Sequence, residues 1–134
     1  MDECKICNFP FLSNVKLGDF GSSPLVDNSL YRKLVGSLLY LTHSRPDLAY
    51  EVGVVAEYMQ DHHDIHWKAA KRIFHYVQGI KHFRIHYATS SPLEQVGFID
   101  YDWVGGSIDI NSISGYVLML AHGPICWLSK KKKH

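Results

Sequence analysis

The chain has 134 residues, 46% of them apolar, with 14 Lys and Arg against 13 Asp and Glu and a net charge of +1. That size and apolar content suit one globular domain or two small ones rather than a disordered chain, and the balanced charge leaves contact with an anionic partner to local clustering. Apolar runs fall short of the ~20 residues that span a bilayer, the first residues Met1 to Cys7 carry no secretory pattern, and Cys4, Cys7 and Cys126 cannot make a disulfide framework, so an intracellular chain with no membrane partner is expected.

Residues 1–26 are punctuated by Pro10, Gly18, Gly21 and Pro24 and sustain no period, which predicts an extended lead-in. Cys4 and Cys7 form a C-x-x-C, but no second pair follows to complete a zinc site, and two ordinary thiols are expected. A first helix is predicted from Asp27 to Ser29 onward, both residues being suitable N-caps. Leu30, Leu34, Leu38 and Leu41 mark its apolar face, with Gly36 and Ser37 allowing another helix to approach. A second helix opens at Pro46-Asp47, because proline suits a first turn and an acid suits the N-terminal dipole. Leu48, Val52, Val55 and Met59 mark its buried side, and Asp61 to Asp64 ends it.

Asp64 is placed to cap a third helix that stops at Gly79. Trp67, Ala70, Phe74 and Val77 share one face, while Lys68, Lys71, Arg72 and His75 recur at helical spacing on another. Such a basic stripe is either a solvated face or a set of phosphate contacts. After Gly79 the period changes. Phe83 to Tyr87 alternates as a strand, Ser90 to Pro92 signals a turn, and three further strands follow at Glu94 to Tyr101, Ser114 to Ala121 and Pro124 to Ser129. His122-Gly123 is the tight turn before the last strand. The order, helices then strands, predicts an α+β chain of two unlike modules with an antiparallel meander in the second.

Six blocks carry a family resemblance. Tyr31-Arg32-Lys33-Leu34-Val35-Gly36-Ser37-Leu38-Leu39-Tyr40-Leu41-Thr42, Arg45-Pro46-Asp47-Leu48-Ala49-Tyr50 and His66-Trp67-Lys68-Ala69-Ala70-Lys71-Arg72-Ile73 are three. Gly97-Phe98-Ile99-Asp100-Tyr101-Asp102-Trp103-Val104-Gly105, Ser112-Ile113-Ser114-Gly115-Tyr116-Val117 and Ile125-Cys126-Trp127-Leu128-Ser129-Lys130-Lys131 are the others. In order and spacing they resemble the Pol polyprotein of copia-type retrotransposons, and Cys4-Lys5 with Pro10 extends the likeness into the lead-in. The resemblance implies three regions: residues 1–26 as lead-in, 27–82 as a helical thumb or connection region of the reverse transcriptase, and 83–134 as the first strands of an RNase H-like domain. The fold expected is thus a three-helix module followed by a truncated antiparallel sheet.

The resemblance also implies chemistry. RNase H-type hydrolysis uses two Mg2+ ions, and magnesium needs several convergent oxygen ligands. Asp100 matches the first of the family's carboxylates, with Asp102 a weaker companion in the following loop. The family's later glutamate and aspartates, and the polymerase's own metal-binding aspartates, have no counterpart in this sequence. The isolated chain is therefore expected not to be an enzyme and to need no cofactor, Mg2+ belonging to the intact parent. The thumb-like position would set Lys68, Lys71 and Arg72 beside an RNA–DNA hybrid, with the remainder of the polyprotein as the other partner. The alternatives are a phosphate-contacting nucleic-acid-binding module acting through the basic helix 65–79, and an RNase H active only with a partner that supplies the missing carboxylates.

Several positions depart from the family pattern. Ser107 to Asn111 replaces a more charged stretch, Asn111 and Ile113 stand where a basic residue and a threonine are usual, and Asp61 to Asp64 lacks the common proline turn. His62, His63 and His66 would make a metal site only if convergent and supported by further hydrogen bonds, and are not read as one. Lys130 to Lys133 is read as the family's Ser-Lys-Lys segment rather than an import signal. A sheet lacking its covering helices should expose an edge and an apolar face, which predicts self-association.

Overall fold

The computed structural model describes residues 7–11, 17–18, 24, 27–90, 92–101 and 113–130. The chain divides into two compact units, Met1–Phe83 and Arg84–His134. The first holds three helices, α1 (Asn28–Leu41), α2 (Ala49–Ala56, entered through a 3-10 turn at Pro46–Leu48) and α3 (Asp64–Gly79). The second holds a three-stranded sheet, β1 (Gln95–Tyr101), β2 (Ile113–Leu120) and β3 (Gly123–Ser129), antiparallel in the order β1-β2-β3. This is an α+β chain.

Asp27 starts α1, its carboxylate accepting from the Ser29 and Leu30 N–H groups at 2.7 and 3.3 Å, which satisfies donors the helix leaves open. The fully buried residues are Tyr31, Val35 and Leu38; of the predicted leucine row Leu38 is buried, Leu34 and Leu41 pack half-buried against the core, and Leu30 is exposed. Tyr31 claims the interior because its hydroxyl finds a partner there, donating to Val55 O at 2.7 Å. Gly36 is exposed, and a Cβ added to it would touch nothing, so it serves no helix contact.

The Pro46 turn is held by Arg45, whose guanidinium forks onto Asp47 at 2.8 and 2.5 Å. α2 buries Val52, Val54 and Val55, with Leu48 just before them, and ends at Ala56, short of the predicted Asp61. In α3 the inward residues are His66, Ala70 and Ile73. Trp67 and Phe74, assigned to that face from spacing, are only half-buried. The core of this unit joins Leu17 to the buried residues of all three helices. Each fully buried aliphatic side chain stabilises it by about 1.5–3 kcal/mol.

The sheet departs from expectation in two places. Residues 83–88 are not a strand. They run as coil, and Tyr87 donates its hydroxyl to Pro124 O at 2.6 Å while its ring lies where a Gly123 side chain would be. The β2–β3 turn is made by Ala121 and His122, both at positive φ (47° and 65°), one residue earlier than predicted. Leu120 pairs with Gly123 across it.

Register sorts the strands into two faces. Val96 pairs with Met119, Phe98 with Val117, and Val117 with Trp127, so these residues share one side. Ile99 with Tyr116, and Tyr116 with Leu128, occupy the other. Both sides are therefore apolar, unlike the half-polar pattern of an antiparallel sheet with one wet face. The neighbours Phe98 and Ile99 are 60% and 51% exposed, so both faces are open to solvent at that edge.

Candidate nucleic-acid interface

The N-terminus of α3 is organised around a histidine. His66 is fully buried and makes two hydrogen bonds through its ring. The backbone N–H of His63 donates to His66 Nδ1 at 2.8 Å. Nδ1 is thus an acceptor, the proton sits on Nε2, and Nε2–H donates to Leu17 O at 2.8 Å. The ring stacks on Tyr58 with centroids 4.0 Å apart. Burial is the main cause that lowers its pKa, outweighing the bond to Leu17 O. A second lead-in residue, Pro24, accepts from Asp64 N–H at 2.9 Å. Two points of the lead-in therefore fix where α3 begins. Asp64 itself stands inside the first turn, not at the cap.

His62, next along, is 3% exposed and stacks on Tyr31 at 4.2 Å, nearly parallel. Neither of its ring nitrogens has a hydrogen-bond partner among the described residues. The histidine cluster is thus a packing element of the α1–α3 junction. Among the described residues, no group of three or more His, Cys, Asp or Glu side chains is placed to hold a metal ion. Cys7 and Cys126 are free thiols, and Cys4 lies outside the described residues.

From that fixed start α3 presents the basic residues. Lys68 is exposed and pairs with Asp64 one turn earlier, Nζ to Oδ2 2.6 Å. Such exposed pairs contribute only about 0.3–0.5 kcal/mol, so a phosphate can displace the aspartate. Lys71 is exposed and holds its ammonium 5.4 Å from the Trp67 ring centre, a cation–π contact that also orients it. Arg72 is half-buried, and its Nε is out of solvent with no hydrogen-bond partner among the described residues. The three residues named from spacing are thus unequal: two are available at the surface and the third is partly withdrawn.

Asp100 lies near the end of β1, exposed, opposite Gly115, with a register irregularity between it and Tyr101. Asp102 lies outside the described residues, as do Lys131 to Lys133. The described residues do not assemble the several carboxylates a two-magnesium site needs. Among them, no helix is long and apolar enough to cross a membrane.

Comparison with known proteins finds relatives among transposon polyproteins. The chain is 39% identical over 124 residues to the retrovirus-related Pol polyprotein from transposon RE2 of Arabidopsis thaliana, covering 92% of this chain and 8% of that protein. It is 36% identical over 107 residues to the secreted RxLR effector protein 161 of Plasmopara viticola, covering 79% of this chain and 75% of the effector. A putative transposon Ty5-1 protein of Saccharomyces cerevisiae is 30% identical over 131 residues, 96% of this chain and 42% of that protein. No family model and no solved structure matches. The chain spans 8% of the length of the RE2 polyprotein and, likewise, of its RE1 counterpart. Its relatives thus include retrovirus-related Pol polyproteins of transposons, to which it is similar at 36–39% identity over 92% of its own length.

Proposed function

We propose that the chain is a segment of a retrotransposon reverse transcriptase–RNase H polyprotein whose own capacity is to bind an RNA–DNA hybrid through α3. In this reading the helical unit is the thumb or connection region and the sheet is the opening of the RNase H domain. The observation that carries it is the pair Lys68 and Lys71, exposed one turn apart on a helix whose start is locked by His66. A rigid helix holds both ammonium groups in place, so little ordering is lost when phosphates are met. Arg72 adds a third contact if its guanidinium swings outward. The isolated chain is inactive as polymerase or nuclease, and the remainder of the polyprotein completes both activities.

Fluorescence anisotropy with a labelled blunt hybrid tests this. The chain should bind, and Lys68→Gln with Lys71→Gln should abolish binding. Unchanged affinity in the double variant would sink the assignment. The exposed Asp100 at the end of β1 favours one alternative, a nuclease completed by a partner's carboxylates. A magnesium-dependent cleavage assay decides it: activity in the wild type that Asp100→Asn removes would establish the nuclease, and no cleavage supports the binding segment.

A further inference from the structure

Negative charge is missing from one continuous stretch. Residues 65–93 hold Lys68, Lys71, Arg72, Lys81 and Arg84 and not one aspartate or glutamate. Nine of the 14 basic residues and all 13 acidic ones lie elsewhere, so a chain of net charge +1 carries +5 here and −4 over the rest. Balanced composition conceals a strongly polarised one.

In the helical unit this stretch covers α3 and the turn that closes it. Ile80 N–H bonds back to Tyr76 O and Val77 O, both at 3.2 Å, and Phe83 N–H bonds to Ile80 O at 2.9 Å. The chain therefore makes one tight turn, Ile80 to Phe83, as it leaves the helix. That turn exposes Lys81, His82 and Phe83 together. Phe83 keeps 66% of its surface in water and is not among the residues packed on the core. A phenyl ring left so open next to a lysine, at the end of a basic helix, has the ingredients of a base-stacking platform: an aromatic face for a base and cations for the phosphates on either side.

The type of nucleic acid follows from the ring. Bases inside a duplex stack on one another and offer a protein only their edges and backbone. An aromatic face is of use to a base that is unpaired. From Lys68 to the end of α3 at Gly79 the axis advances ~16 Å at 1.5 Å per residue, with Lys81 two residues further on, long enough for a duplex end and the first unpaired nucleotides beyond it. We propose that the closing turn of α3 binds single-stranded nucleic acid, Phe83 stacking an unpaired base and Lys81 holding its phosphate, next to the hybrid contacts of Lys68 and Lys71. This rests on the nucleic-acid reading above and adds a preference for a hybrid with a single-stranded extension.

The test compares the full chain on two probes, a blunt RNA–DNA hybrid and the same hybrid with a short single-stranded overhang. The overhang should tighten binding ~10-fold, the effect of about one stacked base. Phe83→Leu should remove that gain and leave blunt-hybrid affinity as it was, and Phe83→Trp should keep the gain. Because Phe83 is exposed, neither variant endangers folding. Blunt binding with no gain from the overhang, or a gain that survives Phe83→Leu, overturns the stacking platform alone. No binding to either probe overturns the hybrid reading with it.

Discussion

Acid should loosen the helical unit through His66. Its Nδ1 accepts the N–H of His63 and its Nε2–H donates to Leu17 O. A proton added to the ring must go on Nδ1, which then points a donor at a donor. Burial already lowers its pKa below the ordinary value of 6.5. With the folded value depressed and the unfolded one ordinary, the unfolded chain binds the proton more readily. The stability contributed by the neutral ring is thus complete above pH ~6.5 and declines as pH falls below it. His66→Gln isolates the effect. Glutamine at the third helical position can still reach back to the His63 N–H, but it loses the bond to Leu17 O and the stack on Tyr58. Breaking the buried bond costs about 1–3 kcal/mol, and the lost ring contact about 0.5–1.5 kcal/mol more. Urea unfolding followed by far-ultraviolet circular dichroism at pH 8 and pH 5.5 measures both. The wild type should lose midpoint on acidification, while His66→Gln should start lower and lose less. A wild-type midpoint that does not move, or an equal acid loss in the variant, would refute the assignment of proton and bonds.

Four further outcomes follow from other contacts. Asp64→Asn frees Lys68 from its ion pair and removes a negative charge from the basic helix, so hybrid affinity at low salt should rise by a few-fold; a decrease in anisotropy titrations would contradict the phosphate role of Lys68. His122→Gly relieves a non-glycine residue at positive φ in the β2–β3 turn, where two-residue hairpins favour Asn-Gly. It should stabilise the sheet unit by up to ~1 kcal/mol net of glycine's unfolded-state entropy, read as slower hydrogen exchange across β2 and β3. Gly123→Ala would drive a methyl into the Tyr87 ring, and it should destabilise the same unit by about 1–3 kcal/mol. Phe98→Ser removes a residue 60% exposed on one apolar face, and it should raise the concentration at which sedimentation first detects association.

Local signals located the elements well where they were strong. The Asp27 cap, the Pro46 opening, the Gly79 stop and the three sheet strands stand within a residue or two of where caps, turns and alternation put them. Faces were harder to read. Leu30 and Tyr31 differ by one position, and hydropathy favours the leucine row, yet Tyr31 is buried because Val55 O accepts its hydroxyl. That partner is 24 residues away and leaves no trace in local spacing. His66 was visible only as a motif residue, since its two hydrogen bonds depend on Leu17 and on the cap geometry. Phe83 to Tyr87 alternates like a strand, but Tyr87 is turned onto the Gly123 hairpin end by a tertiary contact. The basic face of α3 was legible as spacing. What spacing could not convey is that Asp64 occupies Lys68 and that Arg72 is half withdrawn.

The salt dependence of hybrid binding tests the central claim most directly. If Lys68 and Lys71, with Arg72 as a third, replace counterions on phosphates, the logarithm of the binding constant should fall linearly with the logarithm of salt concentration. The slope expected for two or three such contacts is about −2 to −3. The Lys68→Gln single variant should shallow it by about one. An affinity that stays constant as salt is raised would contradict the account.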